Sequence, residues 1–140
     1  MIRRLFAPVL ICVLATLLVS CTGETPEAAA QAWFDAVMNT RGADMLARTC
    51  TAKKEEVKEL GADATLMKLG VGLAKLLGLD VQIDTSDLRF SSTWQRGREA
   101  EVKVHGVVRV SVLGVAEETS VDEAWLMVKE GDMWKWCGSR

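Results

Sequence analysis

The chain has 140 residues and a nearly balanced charge, with 17 Lys and Arg side chains against 19 Asp and Glu and a formal net charge of −2. Because a nucleic-acid-binding protein carries a basic patch or stripe, this balance argues against that class of function. A chain of this length usually forms one domain, and it buries enough surface to fold without a metal or many disulfides.

The first 20 residues have the layout of a secretory signal peptide. Arg3 and Arg4 form a short basic segment, and residues 5–19 are uncharged and mostly apolar. A transmembrane helix is the alternative, but this run is shorter than the ~20 apolar residues that cross a bilayer core, and Pro8 interrupts it. We therefore predict a signal peptide over residues 1–20.

A short motif, Leu18-Val19-Ser20-Cys21, ends this region. It resembles the lipobox of bacterial lipoproteins, in which the cysteine thiol receives a diacylglyceryl group. The resemblance implies cleavage before Cys21, a lipidated tether over residues 21–25, and acyl chains such as palmitate that hold the mature protein in a bilayer. It also implies a location in the bacterial cell envelope, on the extracytoplasmic side of a membrane.

The four cysteines fall into three groups. Cys12 lies in the predicted signal and Cys21 in the lipobox, so Cys50 and Cys137 remain for the folded domain. Outside the cytoplasm a remaining pair usually forms a bridge, and we predict a disulfide between them. The alternatives are two buried free thiols or a metal site. The metal site is disfavoured because the chain has no CxxC motif and a single histidine, His105.

Helices are predicted between the tether and residue 77. The first begins at Pro26, since Thr25 can cap it and proline suits the first helical position. Further helical segments are predicted at residues 44–50, 53–60 and 64–77. The apolar face of the first helix is predicted to enter the core and consists of Ala30, Trp33, Phe34 and Val37.

Leucines at helical spacing mark the last of these segments, and two interpretations of them stay open. One is a core helix that lies over a sheet, and this is the prediction. The other is an amphipathic segment that faces the membrane, for which Lys68 and Lys75 provide only a thin basic face. The leucines concerned are Leu66, Leu69, Leu73 and Leu76.

After Gly78 the apolar period changes from helical to two, which predicts strands. Four strands are expected at residues 81–94, 100–112, 119–129 and 133–137. The first should bend near residues 84–87, and the second has alternating apolar and polar positions. Helices followed by such a meander predict an α+β domain, with N-terminal helices packed on a curved antiparallel sheet of about four strands.

A family resemblance is visible at both ends of this region. It is carried by Thr25-Pro26-Glu27-Ala28, which leads into Trp33-Phe34-Asp35-Ala36, and by the closing residues from Lys129 to Trp136. These residues resemble the nuclear transport factor 2-like, or cystatin-like, α+β cone, and more narrowly small bacterial lipoproteins of unknown function in that superfamily. The resemblance covers about residues 25–137. Together with the length of the chain, it fits the single α+β domain that we predict over residues 26–138.

The superfamily includes enzymes similar to ketosteroid isomerase and scytalone dehydratase, which place carboxylates, histidines and tyrosines inside the cone. This chain has no tyrosine, and His105 lies on the polar face of its strand. We therefore predict no catalytic residue, no metal and no cofactor, but a membrane-anchored binding or interaction domain. Its expected partner is an apolar small molecule in the cone or another envelope protein on the sheet face.

The interior of the cone is predicted to be apolar, so that it either binds a lipid-like molecule or is filled by the protein's own side chains. Its predicted lining is Trp33, Phe34, Val104, Val108 and Leu126. The alternative is an isomerase- or dehydratase-like enzyme, which requires titratable side chains that share one pocket. At least two would come from the set Asp84, Asp87, His105, Asp122 and Glu123.

Overall fold

The computed structural model describes residues 23–140, apart from the side chains of residues 60 and 62–68. The predicted signal peptide and Cys21 lie outside the described residues. The same is true of the side chains of Leu60, Leu66 and Lys68. Within the described part, no helix has the length and apolar character needed to cross a membrane.

The helices precede the sheet, as predicted. Thr25 caps the first of them, because its hydroxyl oxygen accepts a hydrogen bond from the Ala28 amide at 3.2 Å, and Pro26 occupies the first turn. The α-helices of the described part are α1 (Pro26–Met38), α2 (Gly42–Ala47) and α3 (Lys54–Leu76), with a short 3-10 helix (Thr51–Lys53) between the last two.

Helix α3 differs from the prediction because it is one helix of 23 residues rather than two segments. The predicted break at residues 61–63 does not occur. A glycine in a helix interior is only about 1 kcal/mol less favourable than alanine, so Gly61 alone does not end the helix. The continuous helix carries its last turns, with Leu73 and Leu76, away from the core, and the predicted packing of this segment over the sheet is wrong.

Five antiparallel strands follow, rather than about four. Strand β3 is central, with β4 on one edge and both β1 and β2 on the other, and β5 follows β4. The predicted strand 81–94 is divided in two at its predicted bend. The sheet curls into a half-barrel, which confirms the predicted α+β fold class. The strands are β1 (Val81–Asp84), β2 (Arg89–Arg96), β3 (Glu99–Val112), β4 (Val115–Glu130) and β5 (Met133–Ser139).

The core lies between α1 and the concave face of the sheet. Helix α1 contributes small residues and Trp33, and the sheet contributes mainly aromatic and branched side chains. Residues of the core are Ala29, Ala30, Trp33, Ala36, Met45, Val57, Ala100, Val102, Val104, Trp125, Met127, Trp134 and Trp136.

One predicted inward residue, Leu126, is wrong. In the register of β3 and β4, Val102 lies opposite Trp125, whereas Leu126 lies opposite Glu101. Directly opposite residues share a face of a sheet, so Trp125 and Met127 enter the core and Leu126 lies on the outer face. Both faces of this strand are apolar, and the larger side chains take the interior.

A second correction concerns Val108 and the end of β3. The alternation of buried residues holds through Val104 and stops at Gly106, where φ is +142° and the backbone of Asp87 approaches closely. Beyond this point β3 pairs with β1 and β4, and its residues no longer alternate between buried and exposed. Val108 is therefore half-buried instead of part of the core.

The predicted disulfide is confirmed. Cys50 and Cys137 are bonded, with their Cα atoms 5.2 Å apart. The segment before Cys50 also runs alongside β5, because the Cys50 amide donates to the Trp136 carbonyl at 2.9 Å and the Trp136 amide donates to the Arg48 carbonyl at 2.8 Å. The bridge therefore reinforces a backbone pairing between the helical region and the last strand.

Candidate functional site: a groove beside the first helix

Tryptophan rings pack against one another in the interior of the cone, together with the other core residues. The ring of Trp33 stacks on that of Trp136 with centroids 4.3 Å apart, and it meets the edge of Trp125 at 5.3 Å. Trp33 and Val104 were predicted to line a pocket, but both are buried members of this packed core. Of the two predicted alternatives for the interior, the structure shows filling by the protein's own side chains.

An open groove lies outside this core, between α1 and the loop that joins β1 to β2. Its volume is about 540 Å³, which is within the range of small-molecule sites. Phe34 and Phe90 form its floor, with ring centroids 5.9 Å apart, and both rings touch Trp125 from the outside of the core. The floor is therefore an extension of the core that the protein leaves uncovered.

The polar wall of the groove comes from α1. Glu27, Gln31 and Asp35 recur every fourth residue, so they form one stripe beside the apolar face of the helix. Glu27 and Asp35 are not among the site residues predicted from the sequence. The signal that could have found them is this spacing next to Phe34, which alone of the five predicted lining residues borders the groove.

The opposite wall is the β1–β2 loop, which is held in one shape by polar contacts. The carboxylate of Asp84 accepts a hydrogen bond from the Ser86 amide at 2.9 Å, and the Leu88 amide donates to the Thr85 carbonyl at 3.0 Å. Arg89 donates through one guanidinium nitrogen to the Ser86 and Leu88 carbonyls. These contacts give the loop wall of the groove a defined backbone shape.

The groove carries two carboxylates against one guanidinium. Hydrogen bonds from its own backbone amide, from the Thr25 hydroxyl and from Ser92 lower the pKa of Glu27, and this effect exceeds the opposing one of burial. The Ser92 amide lies 3.2 Å from the carboxylate. Glu27 is thus ionised at neutral pH, and with Asp35 and Arg89 the lining has a net charge of −1.

The residues that the enzyme alternative requires lie outside the groove. Asp84 and Asp87 both form ion pairs with Arg109 on the surface. His105 is exposed and lies opposite Asp122 in the β3–β4 register. None of these four residues lines the groove.

The remaining member of that set, Glu123, accepts a hydrogen bond from the Trp125 indole at 2.8 Å. It also lies outside the lining of the groove. Among the described residues, therefore, the five side chains do not share this pocket. Among the described side chains, which exclude those of residues 60 and 62–68, no group of three or more His, Cys, Asp and Glu is arranged to hold a metal ion.

Arg109 connects the loop to the hairpin and so acts on the groove indirectly. Its guanidinium contacts Asp84 at the end of β1, Asp87 in the loop and Glu118 on β4. Glu118 and Asp87 raise its pKa, with the hydrogen bond to Glu118 as the largest cause. The loop wall is thereby fastened to the sheet.

Comparison with known proteins gives no match, whether with a protein-family model, a curated protein or a solved structure.

Proposed function

We propose that this protein is a lipid-anchored binding protein of the bacterial cell envelope, held in a membrane through Cys21, with the groove over Phe34 and Phe90 as its binding site. The layout of residues 1–21 supports the anchor. The Cys50–Cys137 disulfide supports an oxidising, extracytoplasmic compartment. The resemblance to the nuclear transport factor 2-like superfamily is part of this proposal, and the α+β architecture is compatible with it.

The binding proposal is based on one observation: the groove has an open aromatic floor beside an ionised carboxylate on its polar wall. Phe34 and Phe90 offer apolar surface and ring faces, while Glu27 and Asp35 supply negative charge on one wall. Such a site selects a ligand with an apolar body and a positive group, since a ring face and a carboxylate both attract a cation. The ligand class is a small cationic amphiphile or a short basic and apolar segment of another envelope protein.

A matched set of three ligands tests this class. Phenylbutylamine, phenylbutanol and phenylbutyrate share one apolar body and differ in charge. Titration calorimetry with the full-length mature protein in lipid nanodiscs should rank the amine first and the carboxylate last. Equal affinity for all three compounds would contradict the proposed selection by charge.

Three variants test whether the ligand binds in the groove. Ala28 is exposed and lines the groove, so Ala28→Trp should fill it and abolish binding without opening the core. Asp35→Asn should reduce the preference for the amine, whereas Asp132→Asn, an exposed turn residue outside the lining, should leave it unchanged. Binding that survives Ala28→Trp would place the ligand elsewhere and refute the groove as the site.

A further inference from the structure

One end of the molecule exposes large apolar side chains from two elements. We call this surface the apolar tip and define it by the end of α3 and the β3–β4 turn. Between 59 % and 85 % of each of these side chains is exposed, far above what burial in a core would leave. The residues of the apolar tip are Leu73, Leu76, Leu77, Leu113 and Val115.

The two parts of the apolar tip are adjacent in space. The Leu113 amide donates a hydrogen bond to the Asp80 carbonyl at 3.1 Å, and Val112 pairs with Val81 in the β1–β3 register. The connection that leaves α3 therefore runs directly beside the turn of the hairpin. The exposed leucines of both parts therefore lie at the same end of the molecule, and apolar residues grouped in this way mark an interaction surface.

The charge pattern of the apolar tip indicates that its partner is a lipid bilayer. Residues 69–79 contain one charged side chain, Lys75, and residues 112–116 contain none. The first turns of α3 are the opposite, with Glu55, Glu56 and further charges in the exposed face. These two stretches contain no acidic side chain, and a lysine among leucines suits the boundary between headgroups and acyl chains of a bilayer.

The chain is held against the domain only a few residues after Cys21. Arg48 forms an ion pair with Glu24 at 2.7 Å, and Thr25 caps α1, so the chain is fixed to the domain from Glu24 onward. Only Thr22 and Gly23 separate Glu24 from Cys21, and that stretch reaches about 10 Å when fully extended. A lipid on Cys21 would hold the domain directly on the membrane surface.

We infer that the apolar tip inserts into the interfacial region of the same bilayer that holds the lipid on Cys21. This inference rests on the proposed lipid anchor and adds a second membrane contact to it. Ser92, which donates to Glu27 near the start of α1, pairs with Val102, whereas the apolar tip follows Val112. Ten strand residues span about 33 Å. The two contacts therefore lie near opposite ends of β3, and the sheet lies lengthwise on the membrane.

Fluorescent labels test the orientation in the lipidated, full-length mature protein. Leu76→Cys and Leu113→Cys each introduce one thiol for an environment-sensitive label, because Cys50 and Cys137 are joined in the disulfide. In phosphatidylcholine vesicles that contain nitroxide-labelled lipid, both labels should shift to shorter wavelength and lose most of their emission. The control, Asp132→Cys in the exposed β4–β5 turn, lies outside the apolar tip beside the charged Glu130 and should keep its emission.

A second variant tests whether the two parts of the apolar tip insert into the bilayer together. Leu76→Asp with Leu77→Asp should restore the emission of the label at position 113, because the charged helix end leaves the bilayer. Labels that remain in water while mass spectrometry finds lipid on Cys21 would overturn the inference and leave the proposed anchor intact. Labels that are shielded but not quenched by nitroxide lipid would show a second copy or another protein on the tip, and would also overturn it. Absence of lipid on Cys21 would overturn the anchor itself.

Discussion

The indole nitrogen of Trp33 donates a hydrogen bond to the Thr49 hydroxyl at 3.0 Å, and that hydroxyl donates in turn to the Met45 carbonyl at 2.7 Å. Thr49 is fully buried. The hydroxyl therefore satisfies the polar atom of the central core residue and ties α1 to the end of α2.

Thr49→Val should destabilise the protein, because it keeps the shape of the side chain and removes the partner of the Trp33 indole. A buried donor left without a partner costs about 1–3 kcal/mol of the free energy of unfolding. Thr49→Ser is the matched control, since it retains the hydroxyl and loses one methyl group. Urea unfolding followed by tryptophan fluorescence measures both. A valine variant as stable as the parent would show that this hydrogen bond contributes little.

Removal of the Cys50–Cys137 bridge should lower stability more than any surface change. The two residues are 87 positions apart, and the chain-entropy account gives about 4–5 kcal/mol for such a loop, whereas measured disulfides more often contribute ~2–4 kcal/mol. Unfolding with and without a reducing agent measures this difference. The double variant Cys50→Ser/Cys137→Ser is the control, because the reductant should no longer affect it. Equal stability of the oxidised and reduced parent would contradict the expectation.

Glu130 should make stability depend on pH. The Thr51 amide, at 2.9 Å, lowers the pKa of this carboxyl most, and Lys135 and the Thr51 hydroxyl lower it further than burial raises it. Because the folded pKa is depressed, the stabilisation is present above the unfolded value of about 4.3 and is lost as pH falls through the folded pKa. The loss is no more than about 1 kcal/mol, since the pair is partly exposed to solvent.

The measurement for Glu130 is the free energy of unfolding of the parent and of Glu130→Gln between about pH 7 and pH 3. The difference between the two proteins should be constant at neutral pH and shrink at the acidic end. Glu117→Gln, on the exposed part of β4, controls for the loss of one negative charge. A difference that grows towards low pH would have the wrong sign for a depressed pKa.

Gly106→Ala should be strongly destabilising. A Cβ at this position would meet the carbonyl oxygen of Asp87 and would lie 3.0 Å from the Cα of Leu88, and the φ of +142° disfavours any L side chain. We expect a loss of about 1–3 kcal/mol from this overpacking. Gly70→Ala in α3 is the contrasting control, since its site has open space and alanine should add up to about 1 kcal/mol of helix stability. Thermal unfolding of both variants distinguishes the two effects.

Cys21→Ser should abolish labelling with radioactive or alkyne-tagged palmitate and leave an uncleaved precursor. Serine keeps the shape but lacks the thiol that receives the lipid, and each buried CH₂ of an acyl chain contributes about 0.8 kcal/mol of membrane affinity. Cys12→Ser, within the predicted signal, is the control and should be processed normally. Normal processing and membrane fractionation of the Cys21 variant would end the lipoprotein proposal.

The sequence predicts the strands well where one parity is apolar and the other polar. That condition holds in β3 up to Val104, and the burial follows it. It fails in β4, where Ala124, Leu126 and Val128 alternate with Trp125 and Met127, so that both faces are apolar. The pairing of Val102 with Trp125 then decides which face is inside, and strand pairing over such a distance cannot be predicted from local hydrophobicity.

The groove was harder to predict than the core for a related reason. Phe34 reads as a core residue because its spacing matches that of Trp33, and nothing local shows that the β1–β2 loop stops short of covering it. The exposed leucines of α3 present the same problem. Their spacing is that of a buried face, and only the path of the whole helix shows that Leu73 and Leu76 lie outside the core.

The pairing of residues 48–50 with β5 also sets an order in time. A chain is synthesised from its N-terminus, so Trp33, Thr49 and Cys50 are made well before β5. That strand supplies Trp136, which stacks on Trp33 and pairs with Thr49, and Cys137, which bonds to Cys50. Until β5 arrives, the central indole lacks its stacking partner and the thiol of Cys50 stays reduced or pairs wrongly. Under the proposed export across a membrane, a free Cys50 thiol therefore marks a chain whose translocation is not yet finished.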